Sequence, residues 1–225
     1  MFIHPCSGEK TSESGLTSGQ YFHQDLFVAR RIFQRNQKRR ADVGSRVDGF
    51  IAHVAVFRPI DAFDIRSQSA KVENIIFHQL DIMSPSLPSE FVACCDSLSC
   101  LHALEHFGLG RYGDTVNRDG HIDARRNLSA MLEPDGIFFS VPIGDERIEF
   151  NAHRLLDSTT IIDLTKENFE LVDCSFLDDA GFLDETVDLH QLRVSNNFGC
   201  HYGCGIFELK KKASLGDSNY GEWGT

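Results

Sequence analysis

The ten residues Ala41-Asp42-Val43-Gly44-Ser45-Arg46-Val47-Asp48-Gly49-Phe50 constrain this chain more than any other stretch. They read as a strand end, a tight glycine turn and the opening of an amphipathic helix that continues through residues 51–57. A turn of that kind lets a backbone approach a ligand closely and aims free helix N–H groups at it. About twenty residues on, Phe63-Asp64-Ile65-Arg66 places an acid at the end of a second apolar strand. In a doubly wound sheet, that is where an acidic side chain meets ribose hydroxyls. The two sites together predict a nucleoside-containing cofactor.

A chain of 225 residues, 41% of them apolar, is long enough for one α/β domain with its own core. The expected organisation is a mobile tail over residues 1–19, a single domain over 20–210 and a polar tail over 211–225. A net charge of −11 argues against nucleic acid as a partner, because neutralising phosphates requires a basic face. Six cations do gather at Arg30, Arg31, Arg35, Lys38, Arg39 and Arg40, and are expected to decorate a helix C-terminus. No apolar run reaches membrane-spanning length, and residues 1–20 lack a signal peptide's apolar segment. Seven cysteines, an odd number, scattered through strand-like segments read as buried or free thiols of a reducing compartment. Cytoplasm is the expected location.

Along the chain, a helix is expected from about Ser18 as N-cap, with Phe22, Leu26, Ala29 and Phe33 as its apolar stripe against a sheet and no part in chemistry. Residues 39–43 form a poorly written first strand, since they lack the Val/Ile run of a central parallel strand. Further strands are expected at residues 60–65, 75–81, 91–101 and 137–141, with a helix over 121–132 and a Pro-Asp-Gly turn at 134–136. Residues 108–120 make a long glycine-punctuated loop, either functional or a plain surface excursion. Residues 149–154 show no period, and residues 157–165 look helical. Residues 169–177 and 204–210 would close the sheet as an antiparallel pair joined by an acidic loop over 178–188.

This order of elements resembles a class I S-adenosylmethionine-dependent methyltransferase over residues 41–209. More closely, the chain is similar to a methyltransferase-like family of unknown function. The stretches that carry this are DVGSRVDGF (42–50), FDIR (63–66), SLSCLHALEHFGLGRYGD (97–114), FSVPIG (139–144), RIEFNAHR (147–154) and NNFGCHYGCGIFEL (196–209). The resemblance implies a Rossmann-like α/β fold with a mainly parallel sheet and S-adenosylmethionine as cofactor. It places Asp42, Gly44, Ser45 and Arg46 at the methionine part, Asp64 and Ile65 at the ribose, Asp81 and Ile82 at the adenine, and Leu101 beside them. It also implies a small-molecule acceptor, possibly sugar-like in chemistry, with no nucleic acid or membrane as partner; the oligomeric state is left open.

One departure stands out. The family's turn has glycines at alternate positions, here Gly44, Arg46 and Asp48, with Gly49 one place further. Arg46 either crowds the cofactor or pairs with its carboxylate. The first outcome would make the protein a non-catalytic binding module on a methyltransferase scaffold. His102 and His106 are candidate general bases, or else packing histidines. The same residues spell His102-Ala103-Leu104-Glu105-His106, an H-x-x-E-H pattern that on a helix would suit a zinc hydrolase with Glu105 as base. That reading ranks below methyl transfer, because glycines follow at once and no third ligand is evident; no metal is expected. Arg147, Glu149, Asn151, His153 and Arg154 form a polar rim after the fifth strand, with Arg147, Asn151, His153 and Arg154 as candidate acceptor contacts or a solvated loop. Cys200 and Cys204 are expected to be core thiols rather than zinc ligands.

Overall fold

The computed structural model describes residues 14–15, 17–149, 151–185, 187–188 and 192–212. Most of both expected tails, residues 1–13 and 213–225, therefore lies outside the described residues. Helix α1 spans Gln20–Arg35, β1 Arg40–Val43, α2 Ala52–Ala55, β2 Ile60–Asp64, β3 Ile75–Gln79 and β4 Cys95–Leu101. Then come α3 at Gly120–Met131, β5 at Leu132–Gly144, the strands β6 at Arg147–Glu149 and β7 at His153–Leu155, and α4 at Ser158–Thr165. Strands β8 (Phe169–Leu177), β9 (Leu183–Asp184) and β10 (Tyr202–Lys211) complete the chain.

The main sheet has the order β3-β2-β1-β4-β5-β10-β8-β9. Strands β3, β2, β1, β4 and β5 run parallel, and β10 lies antiparallel between β5 and β8. This is the expected Rossmann-like class I methyltransferase architecture, with its antiparallel edge. From β1 the chain winds outward to β3 and then crosses back to β4, so β1 and β4 flank a topological switch point. Ligands of open α/β sheets bind at the carboxyl ends of the strands there.

Alternating side chains feed one core on each face. Phe27, Val28 and Ile32 of α1 pack with Phe50, Ile51, Val54 and Ile60 on one side. Val43, Phe63, Leu98 and Cys100 meet Ala124, Leu128 and Met131 of α3 on the other. Each fully buried aliphatic side chain contributes about 1.5–3 kcal/mol. Strand β1 has little apolar character but is wholly buried, because it is central and both of its polar members bond hydroxyls of β4, Arg40 to Ser97 and Asp42 to Ser99. Burial lowers the pKa of Arg40 to about 10.

Several expectations need correction. The N-cap of α1 is Gly19, not Ser18, and no side chain caps it. Its buried face carries Gln24, Asp25, Phe27, Val28, Ala29 and Ile32, while Phe22, Leu26 and Phe33 are exposed. Of the expected stripe only Ala29 lies on the buried face. The arginines do not merely complement a helix dipole. Arg31 binds Asp173 at 2.6 Å and Glu208 at 2.8 Å, Arg35 also reaches Glu208, and Arg30 pairs with Glu185 at 2.6 Å. They tie α1 to the antiparallel edge of the sheet.

The Pro-Asp-Gly segment is not a free turn; it lies inside β5. Cys95 pairs with Leu132 and Ser97 with Gly136, so β5 bulges between these two registers. Residues without visible period after β5 form the β6–β7 hairpin, which turns through Asn151 at φ 53°. In contrast, α4 starts where expected, with the Asp157 carboxylate accepting the Thr159 N–H at 2.8 Å. Cys200 and Cys204 are buried free thiols, as expected. No helix of the described residues is long and apolar enough to cross a membrane.

Candidate cofactor and acceptor site

The turn after β1 is shaped by its own side chains. The Asp42 carboxylate accepts the Ser45 N–H at 3.0 Å and the Ser45 hydroxyl at 2.8 Å, and also binds the Ser99 hydroxyl. Asp42 is fully buried; burial raises its pKa to about 6 against the pull of those hydrogen bonds. Gly44 follows at φ 80°, and a Cβ there would sit 2.6 Å from the Ala103 Cβ after β4. Only glycine lets the two strand ends approach so closely.

The displaced second glycine has a structural explanation. Residues Val47–Ile51 form an irregular turn kinked at Gly49, whose φ of −120° and ψ of −112° are non-helical. A Cβ on Gly49 would lie 2.8 Å from Asp25 Oδ2 of α1. Gly49 therefore makes room for Asp25, whose pKa burial raises. The Arg46 guanidinium is largely exposed and bonded to Asp48 at 3.0 and 2.7 Å.

Two cavities open at the switch point and share Gly44, Asp64, Arg66 and Tyr112. The first has apolar walls of Phe63, Ile65, Leu80, Ile82 and Met83, with Asp81, His106 and Asp114 at its margin. The second is wider, and holds Ser45, Arg46, Leu101 and His102 together with Tyr21, Gln24 and Asp25 of α1. Sequence reading missed these α1 residues because they share a helix with exposed apolar side chains. Their signal was polar character at positions whose neighbours, Phe27 and Val28, are core.

Asp64 ends β2 as expected, but its carboxylate is already engaged. It accepts the Arg66 N–H at 2.8 Å and both arms of the Arg66 guanidinium at 2.9 and 2.7 Å. That guanidinium lies over the Tyr112 ring, 4.3 Å from its centre. Tyr112 belongs to the glycine-punctuated loop, which is ordered by Asp114. The Asp114 side chain collects the N–H groups of Gly108, Gly110 and Tyr112. The loop is thus a built wall of the cleft rather than a plain excursion.

His102 and His106, equivalent in the sequence, serve different cavities. His106 ends a short 3-10 turn over Leu104–His106 and His102 lies two residues before that turn, so the two do not share one face of a helix. Glu105 stands between them, fully buried, with Oε1 3.1 Å from His102 Nδ1 and 3.5 Å from His106 Nε2. His106 Nδ1 meets the Ala152 carbonyl at 2.6 Å, and burial lowers its pKa. Among the described residues no group of three His, Cys, Asp or Glu side chains is disposed to hold a metal.

The expected acceptor contacts have other partners. Arg154 is buried, and donates to the carbonyls of Phe107 at 2.6 Å, Arg118 at 3.0 Å and Glu105 at 3.4 Å. It pins both ends of the Tyr112 loop. Arg147 is exposed and pairs with Glu149, and His153 meets the Tyr202 hydroxyl at 3.0 Å. None of Arg147, Asn151, His153 and Arg154 lines either cavity.

A family model described as "Caenorhabditis protein of unknown function, DUF268" matches residues 71–200, more than half of the chain. The chain belongs to this family. No curated protein matches the DUF268 chain in sequence. Among solved structures, it is similar to the [4+2]-cyclase SpnF at 13% identity and a TM-score of 0.57, covering 85% of this chain and 82% of that one. It is also similar to the 1,6-didemethyltoxoflavin-N1-methyltransferase of Burkholderia thailandensis, solved with S-adenosylhomocysteine, at 12% identity and a TM-score of 0.53, over 86% and 84% of the two chains. A third likeness is to phosphoethanolamine N-methyltransferase 2 of Haemonchus contortus, solved with S-adenosyl-L-methionine. That match has 10% identity and a TM-score of 0.58, over 89% of the DUF268 chain and 55% of the other. At such identities these likenesses establish the fold of the DUF268 chain and nothing finer.

Proposed function

We propose that this protein binds S-adenosylmethionine at the switch point and transfers its methyl group to a small-molecule acceptor, with a sugar-like hydroxyl compound as the leading candidate class. The observation that carries the reading is the pairing of Gly44 with Ala103, a cradle that any Cβ would fill, beside an acid at the end of β2. The donor set suits such a cofactor. Asp64 would take the ribose, Ile65, Asp81 and Ile82 would enclose the adenine, and Gly44, Ser45 and Arg46 with Leu101 would face the methionine part. When bound, the cofactor supplies an electrophilic methyl group.

The chain's own residues do the rest. Tyr21, Gln24, Asp25 and His102 wall the wider cavity and would orient the acceptor, since alignment alone accounts for much of such a rate. His102 would take the acceptor's proton. His106, held through Nδ1 by Ala152, packs the narrower cavity instead.

A second reading, a non-catalytic binding module, draws on the Asp64–Arg66 pair, which already occupies the ribose acid. SpnF, described as a [4+2]-cyclase, illustrates that this fold also carries names other than methyltransferase. Calorimetric titration with S-adenosylmethionine and with S-adenosylhomocysteine separates the two readings. Binding in the micromolar range that Asp64→Ala removes supports the enzyme; a folded protein that binds neither compound leaves the module.

A further inference from the structure

The sequence offered two histidines for one task, and the structure gives them unequal surroundings. The Glu105 carboxylate oxygen that faces both is 3.1 Å from His102 Nδ1, within hydrogen-bond reach, and 3.5 Å from His106 Nε2. His106 spends its Nδ1–H on the Ala152 carbonyl, so in its neutral form Nε2 is an acceptor and offers Glu105 nothing. Glu105 is thereby committed to His102. Both partners are more than nine-tenths buried, so the geometry cannot rotate away into solvent.

His102 is also held in an uncommon backbone conformation. Its φ of 49° is left-handed, and its N–H is tied at 2.8 Å to the Ser140 carbonyl of β5. A non-glycine residue there costs on the order of 1 kcal/mol and is retained where the surroundings over-determine it. The Tyr21 ring packs 4.7 Å from the imidazole. Nε2 is itself buried, with Cys204 interacting with the ring, while His102 lines the wider cavity.

We propose that Glu105 is a positioning residue, whose buried carboxylate fixes the His102 imidazole with Nδ1–H toward itself and leaves Nε2 to receive the acceptor's proton. In that step the acceptor's O–H or N–H bond breaks, its electron pair stays on the acceptor atom, and the proton forms the new bond to Nε2. This deepens the function proposed above and rests on it. The dyad's electrostatics favour the imidazolium, so His102 takes the acceptor's proton only once pH rises above its own raised pKa. Burial opposes a charge on His102, but Cys204 beside the ring and Glu105 outweigh it and hold its pKa well above the ordinary histidine range. The other titratable groups facing the ring are Tyr21 and Asp25 from α1, Tyr202 from β10, and His106 across Glu105.

The test is a nitrogen-15 NMR titration of the histidine rings in the full chain from about pH 5 to about pH 9, with His102→Asn to assign the signal. Wild-type His102 should titrate above its ordinary range and carry its neutral proton on Nδ1. Glu105→Gln should lower the midpoint by about one unit or more, and Glu105→Asp should restore part of it. If Glu105→Gln does not fold, the wild-type tautomer and the Glu105→Asp midpoint decide. An Nε2–H tautomer in the wild type, or a midpoint that neither substitution moves, overturns the proposal. Calorimetry with S-adenosylhomocysteine is run on the same samples: lost binding with an intact titration refutes the cofactor reading, and the reverse refutes the dyad.

Discussion

Arg66 holds both carboxylate oxygens of Asp64 through its guanidinium, at 2.9 and 2.7 Å, while lying over the Tyr112 ring. A ribose docking on Asp64 must share or displace that arginine. Because Arg66 is half-exposed, its pair with Asp64 is worth no more than about 1 kcal/mol. Arg66→Ala should therefore tighten S-adenosylhomocysteine binding by about two- to five-fold, whereas Asp64→Ala should abolish it. Calorimetric titration of both variants measures this. Weaker binding in Arg66→Ala would instead make the arginine part of the ligand's wall.

The two glycines of the turn answer to different neighbours. Gly44→Ala forces a Cβ to 2.6 Å from Ala103 at a left-handed φ, and should cost about 2–4 kcal/mol of stability. Gly49→Ala crowds chiefly the Asp25 carboxylate, and should cost about 1–3 kcal/mol. Adding Asp25→Ala should recover part of the loss at Gly49 and none at Gly44. Denaturant unfolding of the four variants reads both effects; equal rescue at both positions would refute the separate contacts.

Asp42 makes stability depend on pH. Burial raises its folded pKa to about 6, above the unfolded value near 3.8. The stability it contributes is therefore complete below about pH 4 and is lost as pH rises through about 6, on the order of 3 kcal/mol in all. Asp42→Asn should flatten that part of the profile. Asp25, raised in the same sense by burial, would leave a residual slope. Unfolding free energies measured across this range test it, and an unchanged slope in Asp42→Asn would contradict the burial argument.

Arg154 secures the cleft from behind, by gathering three carbonyls at the two ends of the Tyr112 loop. Arg154→Lys should not substitute, since one compact ammonium cannot span three acceptors held by a planar fork. We expect a loss of about 2–4 kcal/mol and faster proteolytic cleavage within residues 108–119. Protection equal to wild type would show that Asp114 alone orders the loop.

Much of this protein is readable from its residues. The succession of strands and helices along the chain, the place of the glycine turn and Asp64 at the end of β2 follow from local rules of periodicity and turn chemistry. So does the antiparallel closure, because two strand patterns without a helix between them leave the chain little other way to pair. Local rules act over a few residues, and these features are settled over a few residues.

What tertiary structure decided is which partner each side chain meets. Phe22, Leu26 and Phe33 have helical spacing, yet the face that turns inward is the one carrying Asp25, since Gly49 leaves room for it across the turn. His102 and His106 look alike until Glu105 and Ala152 are placed beside them. Arg154 looks like a ligand anchor until Phe107, Arg118 and Glu105 present their carbonyls to it. Glu105 is three residues from His102, but the other contacts span tens of residues of chain. Burial sets their energy by removing water from both partners at once, and neither partner's local sequence carries that information.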